Sequence, residues 1–264
     1  MDFPTYETLL TRLDGNVLTI TLNMPDKLNA ATPKMHGEIL RALRDLEGRY
    51  DIDVVVLTGA GRAFCAGGDV GHNLKIHDDQ HRVLQEMGDA KRVVQKLVDC
   101  EQIMVCRMNG DAIGFGATLA LFCDIIIAVD SARISDGHVK VGLVAGDGGA
   151  IIWPQLVGYA KAKQYLLTGD MLDAKEAERI GLINFAVPEA ELDPLVDKWV
   201  RRFATGPRKA VRWSKRAINA GLSQLAHGLI DASVGYEGLS LLSDDLVEGV
   251  KSFEERRRPK FTGR

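Results

Sequence analysis

Four consecutive apolar residues, Val54-Val55-Val56-Leu57, stand between Asp53 and Thr58-Gly59. The run is too short for a helix and three of its members are β-branched, so it reads as a strand. It is apolar on both faces, as a strand is when both sides of its sheet are covered. That is the position of a central strand in a parallel sheet, whose crossovers are helices. Ile103 to Met108 and Ile125 to Val129 are runs of the same kind. With helical stretches between them, the chain reads as an α/β fold with right-handed crossovers.

The rest of the chain fits around these strands. Tyr6 to Leu13 and Val17 to Leu22 alternate about Asp14-Gly15-Asn16 as a β-hairpin does. Thr32-Pro33 caps and opens a helix whose Met35, Ile39, Leu43 and Leu46 share one face. His72 to Asp79 is polar and is expected as a mobile loop, followed by a helix to about Cys100. Gly158 to Thr168 reads as helix, Asp173 caps another through Arg179, and Leu182 to Val187 is a short strand. From Glu191 the pattern is helical in four pieces: Leu192 to Ala204, Arg208 to Ala220, Leu225 to Leu242, and Asp244 to Glu255. The expected organisation is an α/β core over residues 1–190 and a helical C-terminal region over 191–264, with no long linker between them.

The 264 residues suffice for one large core with a small appended unit. A net charge of −3 carries no basic bias, which makes nucleic acid an unfavoured partner. Cys65, Cys100, Cys106 and Cys123 form no CxxC pair, no signal-peptide pattern opens the chain, and charges interrupt the apolar runs before membrane-spanning length. The expectation is a cytoplasmic protein with no membrane partner.

The chemistry concentrates in Met108 to Gly149. Gly114-Phe115-Gly116 there, and Ala66-Gly67-Gly68-Asp69 earlier, each follow a strand. Small residues let backbone amides approach a ligand, and two convergent amides are what an oxyanion hole requires. Taken singly, glycine loops are more often turns. Neither loop matches a phosphate-binding Walker pattern, and Asn109 to Gly114 lacks dinucleotide spacing. Downstream, His138 and Asp147 stand nine residues apart. Asp147 also has the placing of a cap for a helix beginning near Ala150. His36 reads as a core-edge histidine, and Glu237 as either a helix-surface charge or a site residue. His77 and His81 have i, i+4 spacing in a solvated setting, so no metal is expected.

Three further motifs carry a resemblance: Asn23-Met24-Pro25-Asp26-Lys27-Leu28-Asn29-Ala30, Ala63-Phe64-Cys65-Ala66-Gly67-Gly68-Asp69, and Asn109 to Gly116. With Cys123-Asp124-Ile125, Leu167-Thr168-Gly169-Asp170 and Glu178 to Ile183, they occur in order along nearly the whole chain. The sequence resembles the enoyl-CoA hydratase/isomerase (crotonase) superfamily. The resemblance implies a spiral of ββα units, a helical C-terminal trimerisation region, and a homotrimer or dimer of trimers acting on an acyl-CoA or enoyl-CoA thioester. No separate cofactor is implied, since coenzyme A is part of the substrate. The oxyanion amides would be those of Gly68 and Phe115. Lys27, Ala66, Gly68, Asp69 and Val70 would lie along the CoA, and Phe253 and Arg256 would come from across a subunit boundary.

The chain departs from the hydratase pattern at its reacting groups. Where the family places two glutamates, it has Thr118 and His138, and a threonine is no carboxylate base. Asp136-Gly137-His138 with Gly142 to Gly148 and Trp153-Pro154 resembles a narrower branch, the 6-oxocamphor hydrolases, which cleave a C–C bond of a β-diketone. That resemblance implies His138 with Asp147 as the base, Glu237 as a third group and His36 as a fourth. The retained Ala66-Gly67-Gly68 loop keeps a CoA thioester as the expected substrate. A non-catalytic or RNA-binding relative is the third reading, which the acidic balance disfavours.

Overall fold

The computed structural model of the chain describes residues 3–264. The main sheet contains β1 (Leu9–Asp14), β2 (Val17–Leu22), β3 (Val54–Gly59), β4 (Ile103–Met108), β6 (Ile125–Val129) and β9 (Phe185–Val187), hydrogen-bonded in that order. Within this sheet β1 and β2 pair antiparallel, across the expected hairpin. The other four pairings of the sheet are parallel, with Val55 opposite Leu18 on one side and Met104 on the other. All six residues of β3 are buried, as its two-faced apolar run requires.

A second, smaller sheet holds β5 (Ala112–Ile113), β7 (Arg133–Ser135) and β8 (Leu172–Asp173). Isolated bridges Ala31 to Gly68 and Cys65 to Ala112 continue this layer back toward the N-terminus. The chain therefore steps between sheets, from β4 to β5, from β6 to β7 and from β8 to β9, with helices closing the turns. This is the spiral α/β architecture that the resemblance implies.

α1 (Pro33–Asp45) begins as expected, with Thr32 Oγ1 accepting from the Met35 N–H. The supposed mobile segment is ordered as α2 (Val70–Ile76), because Asp69 caps it by accepting from the His72 N–H at 3.1 Å. α3 (Gln80–Asp99) follows, then α4 (Phe115–Leu121), buried throughout. α5 (Gly149–Thr168) starts nine residues before the expected helix, with non-helical backbone at Gly158 where that helix was to begin. α6 (Ala174–Arg179) is capped by Asp173 and α7 (Glu189–Thr205) buries Leu192 and Val196.

The largest departure lies in α8. The two helices expected around Gly221 are one, Arg208–Leu241, of 34 residues. Gly221 costs roughly 1 kcal/mol relative to Ala in a helix. Ala226, Ile230, Val234 and Leu241 repeat at helical spacing and are buried, which offsets that cost. Asp99, at the end of α3, also accepts from Ser223 Oγ and His227 Nε2, each at 2.8 Å. α9 (Asp244–Glu254) is capped by Ser243. Part of the basic tail is structural: Arg257 pairs with Glu248 and Glu255. Among the described residues no helix is long and apolar enough to cross a membrane.

Candidate active site

Two elements distant in sequence meet to form the site. The loop from Leu143 to Gly148 lies on α8, where Ser240 Oγ accepts from the Val144 N–H at 3.1 Å and Ser233 Oγ donates to the Gly146 carbonyl at 2.8 Å. A Cβ on Gly146 would stand 2.4 Å from the Ser233 carbonyl and 2.6 Å from Glu237 Cβ. Only glycine permits this approach. It brings Asp147 and Glu237, ninety residues apart, to the same imidazole.

That imidazole is His138. Its Nδ1 makes a 2.6 Å hydrogen bond to Asp136 Oδ1, so Nδ1 is the donor and Nε2 faces the cleft. Asp147 Oδ2 lies 3.6 Å and Glu237 Oε1 4.0 Å from Nε2, and all three side chains are at most 11% exposed. Asp147 Oδ1 accepts from the Thr118 hydroxyl at 3.2 Å, while Glu237 Oε2 is buried without a partner. Asp147 does not cap α5; Gly148 holds that position and makes no side-chain cap bond. Thr118, at a glutamate position of the resemblance, thus orients a carboxylate instead of supplying one.

The electrostatics follow from burial. Desolvation opposes charge on His138, but Asp136 first, then Asp147 and Glu237, hold its pKa well above the usual 6.5. Burial pushes both Asp147 and Glu237 upward; His138 pulls each back, and neighbouring carboxylates raise them further. The cluster holds protons more tightly than its separate groups would in water. The donor atoms of His138, Asp147 and Glu237 lie within 4.8 Å of one another, close enough to share one cation. His77 and His81 form no such set: His77 Nδ1 bonds the Leu241 carbonyl at 2.8 Å and His81 is exposed.

The two glycine loops converge beside His138. A Cβ on Gly67 would come within 3.0 Å of the Ile113 carbonyl, and one on Gly114 within 3.4 Å of His138 Cε1. Among the described residues, neither the Gly68 nor the Phe115 N–H donates to another backbone carbonyl. Phe115 opens α4 after Gly114, so its amide is one of the unpaired donors at a helix start.

The cleft has an inner and an outer part, and Gly68, Asn73 and His138 line both. Ala66, Val70, Arg62, Lys140 and Phe253 line the outer groove. Of the residues expected along a CoA, Ala66, Gly68 and Val70 are there. Asp69 caps α2 and lines the inner part, and Lys27 is exposed beside the groove-lining Leu28. Phe253 reaches the groove of its own chain from α9, whereas the resemblance put it across a subunit boundary; Arg256, exposed with φ of +52°, does not line it. His36 is no mere core-edge residue. It lines the inner part, stacks on Phe115 at 4.6 Å, and burial lowers its pKa to about 4.

Three contributions were missed in the sequence. Asp136 carried a signal, an acidic residue two before the histidine in a tight turn. Arg62 and Lys140 on the groove, and His72 with Glu86 in the inner cleft, carried none, because each depends on which loops and helices meet.

The comparisons with known proteins agree with this frame. A family model described as enoyl-CoA hydratase/isomerase matches residues 12–264. The chain is similar to 1,2-epoxyphenylacetyl-CoA isomerase of Escherichia coli (strain K12), 33% identical over 263 residues that cover 98% of this chain and 99% of that one. It is 31% identical to crotonyl-CoA hydratase of Syntrophomonas wolfei over 257 residues, covering 97% and 98%. It resembles the crystal structure of an enoyl-CoA hydratase from Mycobacterium avium subsp. paratuberculosis K-10 with a TM-score of 0.89 and 29% identity, covering 98% and 100%. The chain belongs to the enoyl-CoA hydratase/isomerase family.

Proposed function

We propose that the protein processes an acyl-CoA or enoyl-CoA thioester through an enolate held against the Gly68 and Phe115 amides, with His138 and Asp147 in place of the usual glutamate pair. The observation that carries this reading is one cleft holding two unpaired backbone donors beside an imidazole whose Nε2 faces two carboxylates. Negative charge developing on the thioester oxygen would be met by donors already aimed at it. His138, assisted by Asp147, moves the proton or activates water, and Asp136 holds the ring in one orientation. The CoA lies along Ala66, Gly68 and Val70, with the cations Arg62 and Lys140 at the groove for its phosphates.

Both a lyase and an isomerase activity fit this machinery; the E. coli relative is named an isomerase and the Syntrophomonas relative a hydratase. Self-association belongs to the same reading. Trp213, Ile218, Tyr236 and Leu239 on α8 are each more than 60% exposed, apolar surface that suits a trimer or a dimer of trimers.

A second reading is C–C hydrolysis of a β-dicarbonyl compound, favoured by the presence of Glu237 in the His138 cluster. There, water adds to the β-carbonyl carbon as the cluster takes its proton. The Cα–Cβ bond then breaks, its electron pair becomes the enolate held by the amides, and the returned proton completes the acyl product beside a carboxylic acid. Assaying crotonyl-CoA hydration, double-bond isomerisation and β-oxoacyl-CoA or cyclic β-diketone cleavage side by side separates the readings. Ordinary hydration that survives His138→Ala would overturn the proposed mechanism.

A further inference from the structure

Beside Ala31, Pro33, Met87, Ala90 and Phe115, the inner cleft carries polar groups that a hydrocarbon tail would not match. Beyond the His138 cluster, α1, α2 and α3 bring six polar side chains to it: His36, Asp69, His72, Asn73, Glu86 and Asp89. Several of these are already committed. Asp69 caps α2, Asp89 is held by Arg92, and His72 Nε2 bonds Glu86 Oε1 at 2.6 Å. The His72 and Glu86 side chains are only 19% and 30% exposed, so the pair is a built part of the wall.

What remains open is specific. Among the described residues, Glu86 Oε2, the Asn73 side-chain amide and the His36 ring nitrogens form no hydrogen bond. An alkyl chain seated here would strip water from these groups and return nothing. A carboxylated tail would meet Glu86 and Asp89, then Asp147 and Glu237, with Arg92 already engaged by Asp89. A cationic tail would meet the same carboxylates, of which Asp89 is already paired with Arg92 and Glu86 Oε1 already bonded to His72 Nε2. A neutral hydroxyl both donates and accepts, which suits a wall offering both an open carboxylate oxygen, on Glu86, and a side-chain amide, on Asn73.

We infer that the acyl group carries a hydroxyl beyond its reacting carbons, donating to Glu86, itself held by His72, and accepting from Asn73. This rests on the acyl-CoA reading and names the class of thioester the site takes.

Binding isolates the inference from the reaction catalysed. Isothermal titration of CoA, hexanoyl-CoA, 6-hydroxyhexanoyl-CoA and the ω-carboxylated six-carbon thioester, with the 4- and 5-hydroxy isomers, reads the cleft directly. The expected result is that one hydroxylated isomer binds about tenfold tighter than hexanoyl-CoA, and the carboxylated thioester weakest. In a folded His72→Leu/Glu86→Leu variant the preference should shrink to about twofold or less, partly through tighter binding of hexanoyl-CoA. Equal binding of the plain and hydroxylated thioesters by the unmodified protein overturns the inference and leaves the acyl-CoA reading standing. Failure to bind CoA or any thioester overturns both. An unchanged preference in the double variant removes the His72–Glu86 pair as its source and overturns the inference too.

Discussion

Asp136 fixes which nitrogen of His138 does chemistry: its Oδ1 takes the Nδ1 hydrogen bond at 2.6 Å, leaving Nε2 to the cleft. Its other oxygen, Oδ2, has no hydrogen-bond partner and packs where α5 begins, so close to Gly149 that a Cβ there would lie 2.0 Å away. The buried carboxylate thus sits at a helix N-terminus, whose dipole favours its negative charge.

Asp136→Asn should therefore reduce kcat by roughly 10²-fold or more with little change in KM, because an amide no longer dictates the tautomer. Gly149→Ala, which touches no reacting group, should reproduce part of that loss by displacing the carboxylate. Steady-state kinetics on whichever thioester is turned over, with near-UV circular dichroism to verify folding, checks both. A Gly149→Ala enzyme of full activity would show that the carboxylate position is immaterial.

Glu237 should trade stability for function. Burial, and the Asp147 charge beside it, hold its pKa well above the ordinary 4.5 in the folded chain. A raised folded pKa contributes stability that is complete below pH 4.5 and is lost as pH rises through the folded value. Toward alkaline pH that stability is lost, and the buried, partly unpartnered carboxyl becomes a burden. Glu237→Gln should raise stability there by about 1 kcal/mol, with the gain fading toward pH 4, while activity falls. Chemical denaturation at alkaline pH and near pH 4 measures this.

Gly114→Ala should injure catalysis through the backbone. Gly114 has φ of +51° and ψ of −119°, a conformation L-residues rarely adopt, and a Cβ would lie 3.4 Å from His138 Cε1. Re-aiming this residue moves the Phe115 amide and crowds the imidazole. Loss of kcat/KM by about 10²-fold is expected, along with about 1 kcal/mol of stability. Retained activity would argue against Phe115 N–H as an oxyanion donor.

The His138, Asp147 and Glu237 atoms could share a metal ion or a proton. The acid–base reading predicts that dialysis against EDTA leaves activity unchanged and that elemental analysis of active protein finds no stoichiometric metal. Activity lost to the chelator and restored by zinc or manganese would replace that reading with a metal-assisted one.

Much of this site was legible in the chain. Val54 to Leu57 specified a central parallel strand because no other environment buries both faces of so short a run. His138 and Asp147 stood out because they lie nine residues apart, Asp147 between glycines, at positions that the resemblance assigns to the site. The α8 break at Gly221 was misread, since local propensity of about 1 kcal/mol decides a helix only when packing does not. α2 was misread for the opposite reason: a polar composition concealed the cap at Asp69.

By itself, then, the sequence determined the strand order's parallel core, the capped starts of α1 and α6, the two amide loops, and the family whose motifs occur in order. These rest on short-range chemistry: alternation, β-branching, capping oxygens and missing Cβ atoms act within a few residues. The resemblance named Glu237 as a third group, and the tertiary structure set it 4.0 Å from His138 across ninety-nine positions; the tertiary structure alone decided that Asp136 orients the ring and that His72 and Glu86 line the inner cleft. Those contacts depend on Gly146 seating its loop on α8 and on which faces of α2 and α3 turn inward. Such proximity is a property of packing between distant segments, and no local pattern in the chain encodes it.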